Sequence, residues 1–137
     1  MGMVIEQTQE LTQQVIGLAM KVHRAQGPGF VEFVYRNALV HELRGAGLTV
    51  EIEKPLKVRY DGIIVGEFSV DLLIAGWLIC ELKAVRALSE DHELQTVNYL
   101  TATGQDVGLL LNFGAKSLQF KRKYRRNKDE PPADLLA

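Results

Sequence analysis

A single cysteine, Cys80, stands in the 137-residue chain. That excludes an intrachain disulfide and any cysteine-rich zinc site. A chain without disulfides suits a reducing, cytoplasmic compartment. Long apolar runs are also missing: every hydrophobic stretch is too short and too interrupted to span a bilayer. Met1 to Glu10 shows no basic stretch followed by an apolar one, so no secretory signal is expected. Internal repeats are absent too. Neither charge sign dominates, the formal net charge being −1.

What is present fits one domain. Apolar residues make up 47% of the chain, enough for a single sizeable core at this length. The charge is unevenly spread. Residues 1–115 carry nine Lys and Arg against fourteen Asp and Glu, whereas Lys116 to Lys128 holds seven basic residues and no acid. The basic residues are Lys116, Lys121, Arg122, Lys123, Arg125, Arg126 and Lys128. Such a segment attracts polyanions; equally, it reads as a solvated tail or an edge strand whose charges discourage aggregation. Asn127 to Ala137, with Pro131-Pro132 and mixed charges, reads as a flexible tail behind a domain spanning 1–126.

The hydrophobic pattern gives the elements. Leu11, Val15, Leu18, Ala19 and Val22 recur at helical spacing and predict a helix over about 7–26, which Gly27-Pro28-Gly29 breaks. A second helix follows, with Val31, Val34, Tyr35, Ala38, Leu39 and Leu43 as its stripe and Gly45 and Gly47 at its end. The period then changes to two. Strands are predicted at Leu48–Ile52, Leu56–Tyr60, Ile63–Phe68, Val70–Ile74 and Trp77–Lys83, with Asp61-Gly62 as a hairpin turn. Apolar residues on both faces near the start of the last of these suggest a central strand. Ser89 caps a third helix that Gly104 stops, with Leu94, Val97, Asn98 and Thr101 on one side. Val107–Asn112 and Ser117–Phe120 are the final strands. The result is a mixed α/β domain.

Glu81 and Lys83 are two apart on a strand and share a face, while Cys80 and Leu82 share the other. Charges on an apolar central strand are costly to bury unpaired, and an internal ion pair is one explanation. Asp71, on the preceding strand, adds a third charge. A strict two-residue turn at Ala75-Gly76 would pair Ile74 with Trp77 and leave Asp71 opposite Cys80. A three-residue loop or a bulge puts Asp71 with Glu81; this longer loop is expected, because one charge cluster is favoured over three isolated buried charges. Two carboxylates and a lysine on one face suit Mg²⁺ or Mn²⁺ and phosphodiester hydrolysis, with the lysine orienting or deprotonating water. The Leu82 carbonyl is a further candidate ligand. Glu32 is a fourth candidate acid; Gly29, Glu32 and Tyr35, three apart, are expected on one helix face.

Gly29-Phe30-Val31-Glu32-Phe33-Val34-Tyr35 matches a GxxExxY signature. With Asp71 in Gly66–Asp71, Glu81-Leu82-Lys83, and Gln95 to Tyr99, the chain resembles the bacterial GxxExxY protein family from about Val15 to Phe120. That family is similar in fold to the PD-(D/E)XK nucleases. The resemblance implies a restriction-endonuclease-like core, a mixed central sheet flanked by helices. It implies that Asp71 is the motif aspartate, that Glu81 and Lys83 are the (D/E)XK element, and that Glu32 is the acid of the first core helix. Gln95 and Tyr99 then correspond to a QxxxY element that positions metal ligands or nucleic acid. Val70 replaces the usual proline before the aspartate.

The expected function is metal-dependent cleavage of nucleic acid, DNA foremost. Asp71, Glu81, Lys83 and Glu32 are the catalytic candidates, and Asp71, Glu81, Leu82 and Glu32 the metal ligands. Gln95, Tyr99, Tyr35, Lys121, Arg122, Lys123, Arg125 and Arg126 are the candidates for holding nucleic acid. A domain of this size covers few base pairs, so a homodimer cutting two strands is a candidate arrangement. The alternatives are an inactive nucleic-acid-binding module and a protein-interaction module that retains the fold. His23 and His92 are weighed as structural against phosphate or metal contacts, and Cys80 as a small core residue.

Overall fold

The computed structural model describes residues 5–126, so the expected tail at 127–137 lies outside the described residues. Helices α1 (Ile5–Gln26) and α2 (Glu32–Gly45) come first, then strands β1 (Val50–Tyr60), β2 (Ile63–Ile74) and β3 (Leu78–Lys83). Helix α3 (Glu90–Thr103), β4 (Val107–Asn112) and β5 (Gln119–Tyr124) complete the domain. The five strands form one sheet in the order β1-β2-β3-β4-β5. All neighbours are antiparallel except β3 and β4, which are parallel. Parallel neighbours need a crossover, and α3 supplies it. Strand β3 is central and its first five residues are all buried, as its two-sided apolar pattern predicts.

Two cores sandwich the sheet. Leu11, Val15, Ile16, Ala19 and Val22 of α1 and Tyr35, Leu39, Val40 and Leu43 of α2 pack on Leu72, Ile74, Cys80, Leu82, Leu109 and Leu111. On the other face Leu100 of α3 packs with Leu56, Val70, Leu73 and Ile79. Two helical stripes differ from expectation. Val31 is the N-cap of α2 and is exposed, because it precedes the first turn. In α3 the buried positions are Thr96, Leu100 and Thr103, while Leu94 is exposed. Threonine can line that core because its hydroxyl bonds back along the helix: Thr96 Oγ1 donates to the His92 carbonyl at 3.2 Å and Thr103 Oγ1 to that of Tyr99 at 2.8 Å.

The predicted strand breaks at Pro55 and Ser69 do not occur, and β1 and β2 form one long hairpin around the Asp61-Gly62 turn. Strand β1 lies at the sheet edge, where a proline's missing N–H can face solvent without costing a ladder bond. The irregularities fall elsewhere: the register shifts between Val58 and Arg59, and a second break lies nearer the other end. Pairing runs from Ile52↔Leu72 to Lys54↔Val70 and skips Glu53 and Asp71, Glu53 having φ 52°. Val70 and Leu72 are two apart, yet Leu72 belongs to the α1/α2 core and Val70 to the α3 core. The hairpin therefore exchanges its inner face at Asp71.

Candidate active site

The loop between β2 and β3 is the longer one expected. Ile74 pairs with Leu78, leaving Ala75, Gly76 and Trp77 to turn the chain, with Ala75 at φ 56° and Gly76 at φ 81°. The register continues through Leu72↔Cys80, and one step further brings Asp71 alongside Glu81. There the backbone ladder gives way to side chains. The Asp71 N–H donates to Glu81 Oε2 at 2.6 Å, and the Leu82 N–H donates to Asp71 Oδ2 at 2.8 Å. Each carboxylate accepts the bond that a facing carbonyl would take in a regular ladder. The two strands fork at this point, with the two acids in the fork.

Burial and proximity decide the charge state. Glu81 is 5% exposed. Its pKa is pushed up to about 8, first by burial and next by the neighbouring Asp71; the Asp71 N–H and Lys83 pull the other way. Without further positive charge, Glu81 therefore holds its proton at neutral pH. Cys80, on the opposite face, is fully buried, and its thiol is pushed well up by burial and by Glu81 and Asp71. It is a core residue, as expected.

Glu32 reaches the same electrostatic field from another element. It opens α2 and is exposed, and its pKa is raised by partial burial and by Asp71 while Lys83 and Arg36 lower it. The GxxExxY spacing acquires a physical meaning here. Gly29, at φ 113°, lies in the approach to α2 rather than on its face, in a conformation that favours glycine. The Tyr35 hydroxyl accepts from the Phe30 N–H at 3.1 Å and donates to the Gly27 carbonyl at 2.5 Å, and its ring stacks on Phe113 at 4.9 Å. Tyr35 thus ties down the loop that delivers Glu32. It is fully buried, which corrects its placement among the nucleic-acid contacts.

Helix α3 brings the other pair. Gln95 Nε2 donates to the Tyr99 hydroxyl at 3.2 Å. The Tyr99 pKa is raised by burial, then by Glu81 and Asp71, so the phenol also lies in the field of the fork. Along β3, Leu82 directs its N–H toward Asp71. Strand alternation sends its carbonyl to the same side, while the Lys83 carbonyl turns away and accepts from the Phe113 N–H at 2.8 Å.

Sequence reasoning missed Asn112. It pairs with Lys83 across β3 and β4 and is fully buried. Its Oδ1 accepts from the Val85 and Gly114 N–H groups at 2.9 and 3.0 Å, and its Nδ2 donates to the Val85 carbonyl and to Gln119 Oε1, both at 2.8 Å. Asn112 fixes the chain as it leaves Lys83. Gly114 leaves room for this, since a Cβ there would meet the Val85 backbone nitrogen at 2.4 Å. The available signal was a polar residue closing the run Leu109-Leu110-Leu111.

The basic segment is not a tail. Lys121, Arg122 and Lys123 lie on β5, and strand alternation divides their side chains between the two faces of the sheet. Arg122 Nε donates to Thr12 Oγ1 on α1 at 3.0 Å, whereas Lys123 pairs with Glu93 of α3 at 2.9 Å. Arg125 is buried and pairs with Asp106 at 2.8 Å. Lys121 is exposed and stands on the row Glu81–Leu110–Lys121; Arg126 is exposed just beyond the strand. Of the candidates for holding nucleic acid, Lys121 and Arg126 are thus exposed, whereas Arg122, Lys123 and Arg125 have partners within the fold, as the edge-strand reading expects. His92 closes a capping box with Ser89, and the His23 ring donates to the Ala115 carbonyl at 2.8 Å. Both histidines are held by the fold.

Among the described residues no three His, Cys, Asp or Glu side chains form a ready-made metal cage. The donors at the fork nonetheless fit a hard divalent ion. Two adjacent carboxylates, one pushed toward neutrality by burial and by the other, lie beside a backbone carbonyl, and Mg²⁺ takes one or two protein carboxylates with the rest from water and phosphate.

The model of the PD-(D/E)XK nuclease superfamily matches residues 9–126. The chain belongs to that superfamily, and its five-stranded mixed sheet with three helices is consistent with that fold. The chain is also similar to a solved structure titled "Crystal structure of SSO0001", at 18% identity and a TM-score of 0.50, over 74% of this chain and 51% of that one. This chain thus spans about half the length of that protein, and the likeness concerns the fold. No curated protein matches. No helix among the described residues is long and apolar enough to cross a membrane.

Proposed function

We propose that this protein is a divalent-metal-dependent nuclease that hydrolyses phosphodiester bonds of DNA, in the bacterial cytoplasm, as a member of the GxxExxY group within its superfamily. The observation that carries the reading is the fork itself: Asp71 and Glu81 side by side where β2 and β3 separate, with Lys83 on the same strand face as Glu81. Asp71, Glu81, the Leu82 carbonyl and Glu32 would hold Mg²⁺ or Mn²⁺. Such an ion supplies an acidified water and charge stabilisation at the phosphate. Lys83 orients the attacking water or takes its proton and offsets charge on the phosphate oxygens. Asn112 holds the chain that follows Lys83, and Gln95 orients the Tyr99 hydroxyl toward the substrate side. A homodimer would let two such sites address two strands.

A second reading has its own support. Both carboxylates already accept backbone N–H bonds, an arrangement that also suits a purely structural fork in an inactive nucleic-acid-binding or protein-interaction module. Cleavage of mixed single- and double-stranded DNA and RNA, titrated with Mg²⁺ and Mn²⁺, separates the two. The nuclease reading expects metal-dependent cutting that Lys83→Ala abolishes without unfolding the protein. Absence of cutting at every metal concentration, or equal cutting by the variant, supports the second.

A further inference from the structure

Two aromatic rings, those of Phe68 and Tyr99, stand near the fork. Cations are present as well: Lys83 lies at the fork and Lys121 is exposed on the Glu81 row, while Arg36, Lys54, Lys123 and Arg125 pair with Glu53, Glu51, Glu93 and Asp106. Phe68 lies on β2 three residues before Asp71, about 10 Å along the strand. Its side is 50% exposed although Val70, two residues on, is fully buried in the α3 core.

Phe68 is held rather than loose. Its ring lies 5.8 Å from that of Tyr99, tilted by 43°, and Tyr99 is the phenol that feels Glu81 and Asp71. Beneath the ring is Gly66, where a Cβ would meet Phe68 Cε2 at 3.0 Å. The backbone of Gly66 needs no positive φ, so what its missing side chain provides is space for the ring. The ring is thus backed by Gly66 and Tyr99 and left open on its remaining side.

We propose that Phe68, backed by Tyr99 and seated on Gly66, is a stacking platform for an unpaired nucleobase flanking the scissile phosphate, so that the preferred substrate is a single strand or a frayed end. This rests on the nuclease reading of the fork and names its substrate class. A base has an apolar π-face that stacks on an aromatic ring whatever its identity. A duplex keeps those faces covered by its own neighbours and leaves the ring nothing to stack on.

The test is binding of a single-stranded oligonucleotide carrying 2-aminopurine, and of its duplex, with Ca²⁺ replacing Mg²⁺. Wild type, Phe68→Ala, Phe68→Trp and Gly66→Ala are compared after circular dichroism shows each folded. Wild type is expected to bind the single strand more tightly than the duplex and to change the 2-aminopurine fluorescence. Phe68→Ala should weaken single-strand binding about tenfold and abolish the fluorescence change, the expected consequence of losing one base–aromatic stack. Its duplex binding should be unchanged, and Phe68→Trp should retain the wild-type behaviour. Phe68→Ala binding the single strand like wild type, or losing both substrates equally, overturns the platform while leaving the nuclease reading intact. Concentration-dependent dimerisation that Phe68→Ala removes assigns the ring to a second copy of the chain and overturns it likewise. If wild type binds no nucleic acid, the nuclease reading fails and the platform with it.

Discussion

Two charged regions, the β2/β3 fork and the β5 edge, space their charges differently along the strand and so differ in space. At the fork, Glu81 and Lys83 are two apart on one strand, so the pleat keeps them on one face, and the register adds Asp71. On β5 the charges are consecutive, so the same pleat sends Arg122 to α1 and Lys123 to α3. A run of like charge on a strand is divided by geometry, whereas an alternating pair is concentrated by it. Burial then amplifies the difference. The fork perturbs the protonation of Glu81, while Lys123 and Glu93, both partly exposed, form a pair of the kind that contributes about 0–1 kcal/mol.

Substitutions at the two regions should separate accordingly. The largest effect is expected at the fork: Asp71→Asn, Glu81→Gln or Lys83→Ala should each lower cleavage by about 10²-fold or more, as removal of a positioned acid–base or charge-stabilising group does. Single-turnover rates on a labelled oligonucleotide read this directly. Lys121→Gln combined with Lys123→Gln should leave the cleavage rate at saturation intact and change the salt slope of binding by at most about one per lysine. A loss at β5 as large as at the fork would erase the distinction.

The pH response comes next in size. In metal-free protein the folded pKa of Glu81, about 8, lies above its ordinary value of 4.5. The folded state thus favours the protonated acid. Its contribution to stability is complete below the unfolded pKa and is lost as pH rises through about 8. Denaturation in EDTA should show stability falling between these limits, on the order of a few kcal/mol, and Glu81→Gln should flatten the fall. Asn112→Ala should cost about 2–3 kcal/mol by leaving buried groups around Val85 unpaired, and should lower cleavage with little change in substrate affinity. Lys123→Ala is the smallest perturbation, with a denaturation midpoint nearly that of wild type, as a pair worth under about 1 kcal/mol implies.

How much of this was legible in the sequence follows from which signals are local. The existence of the three helices, the Ser89 cap, the Gly104 stop and the central position of β3 are set by short-range pattern, and each is found as read. The partnership of Asp71 with Glu81 was accessible because a strict two-residue turn would separate the acids and a longer loop or a bulge would join them; Ile74↔Leu78 realises the longer loop. What stayed hidden depends on partners remote in sequence. Pro55 reads as a break until β1 is known to lie at an edge. The exchange of faces at Asp71 needs two cores, and strand periodicity assumes one inner face. Asn112 has its role only because Val85, 27 residues away, passes beside it. The basic run left two readings open because sequence supplies the charges but not the faces they take.

The central claim is that Asp71 and Glu81 form a metal centre rather than a structural fork. Calorimetric titration of Mn²⁺ at pH 7, in two buffers of different ionisation heat, measures affinity and proton release together. A metal centre predicts binding with release of about one proton, because ligating carboxylates must be deprotonated, with both affinity and proton release sharply reduced in Glu81→Gln. No binding by the wild type, or the same affinity and proton count in the variant, would contradict it.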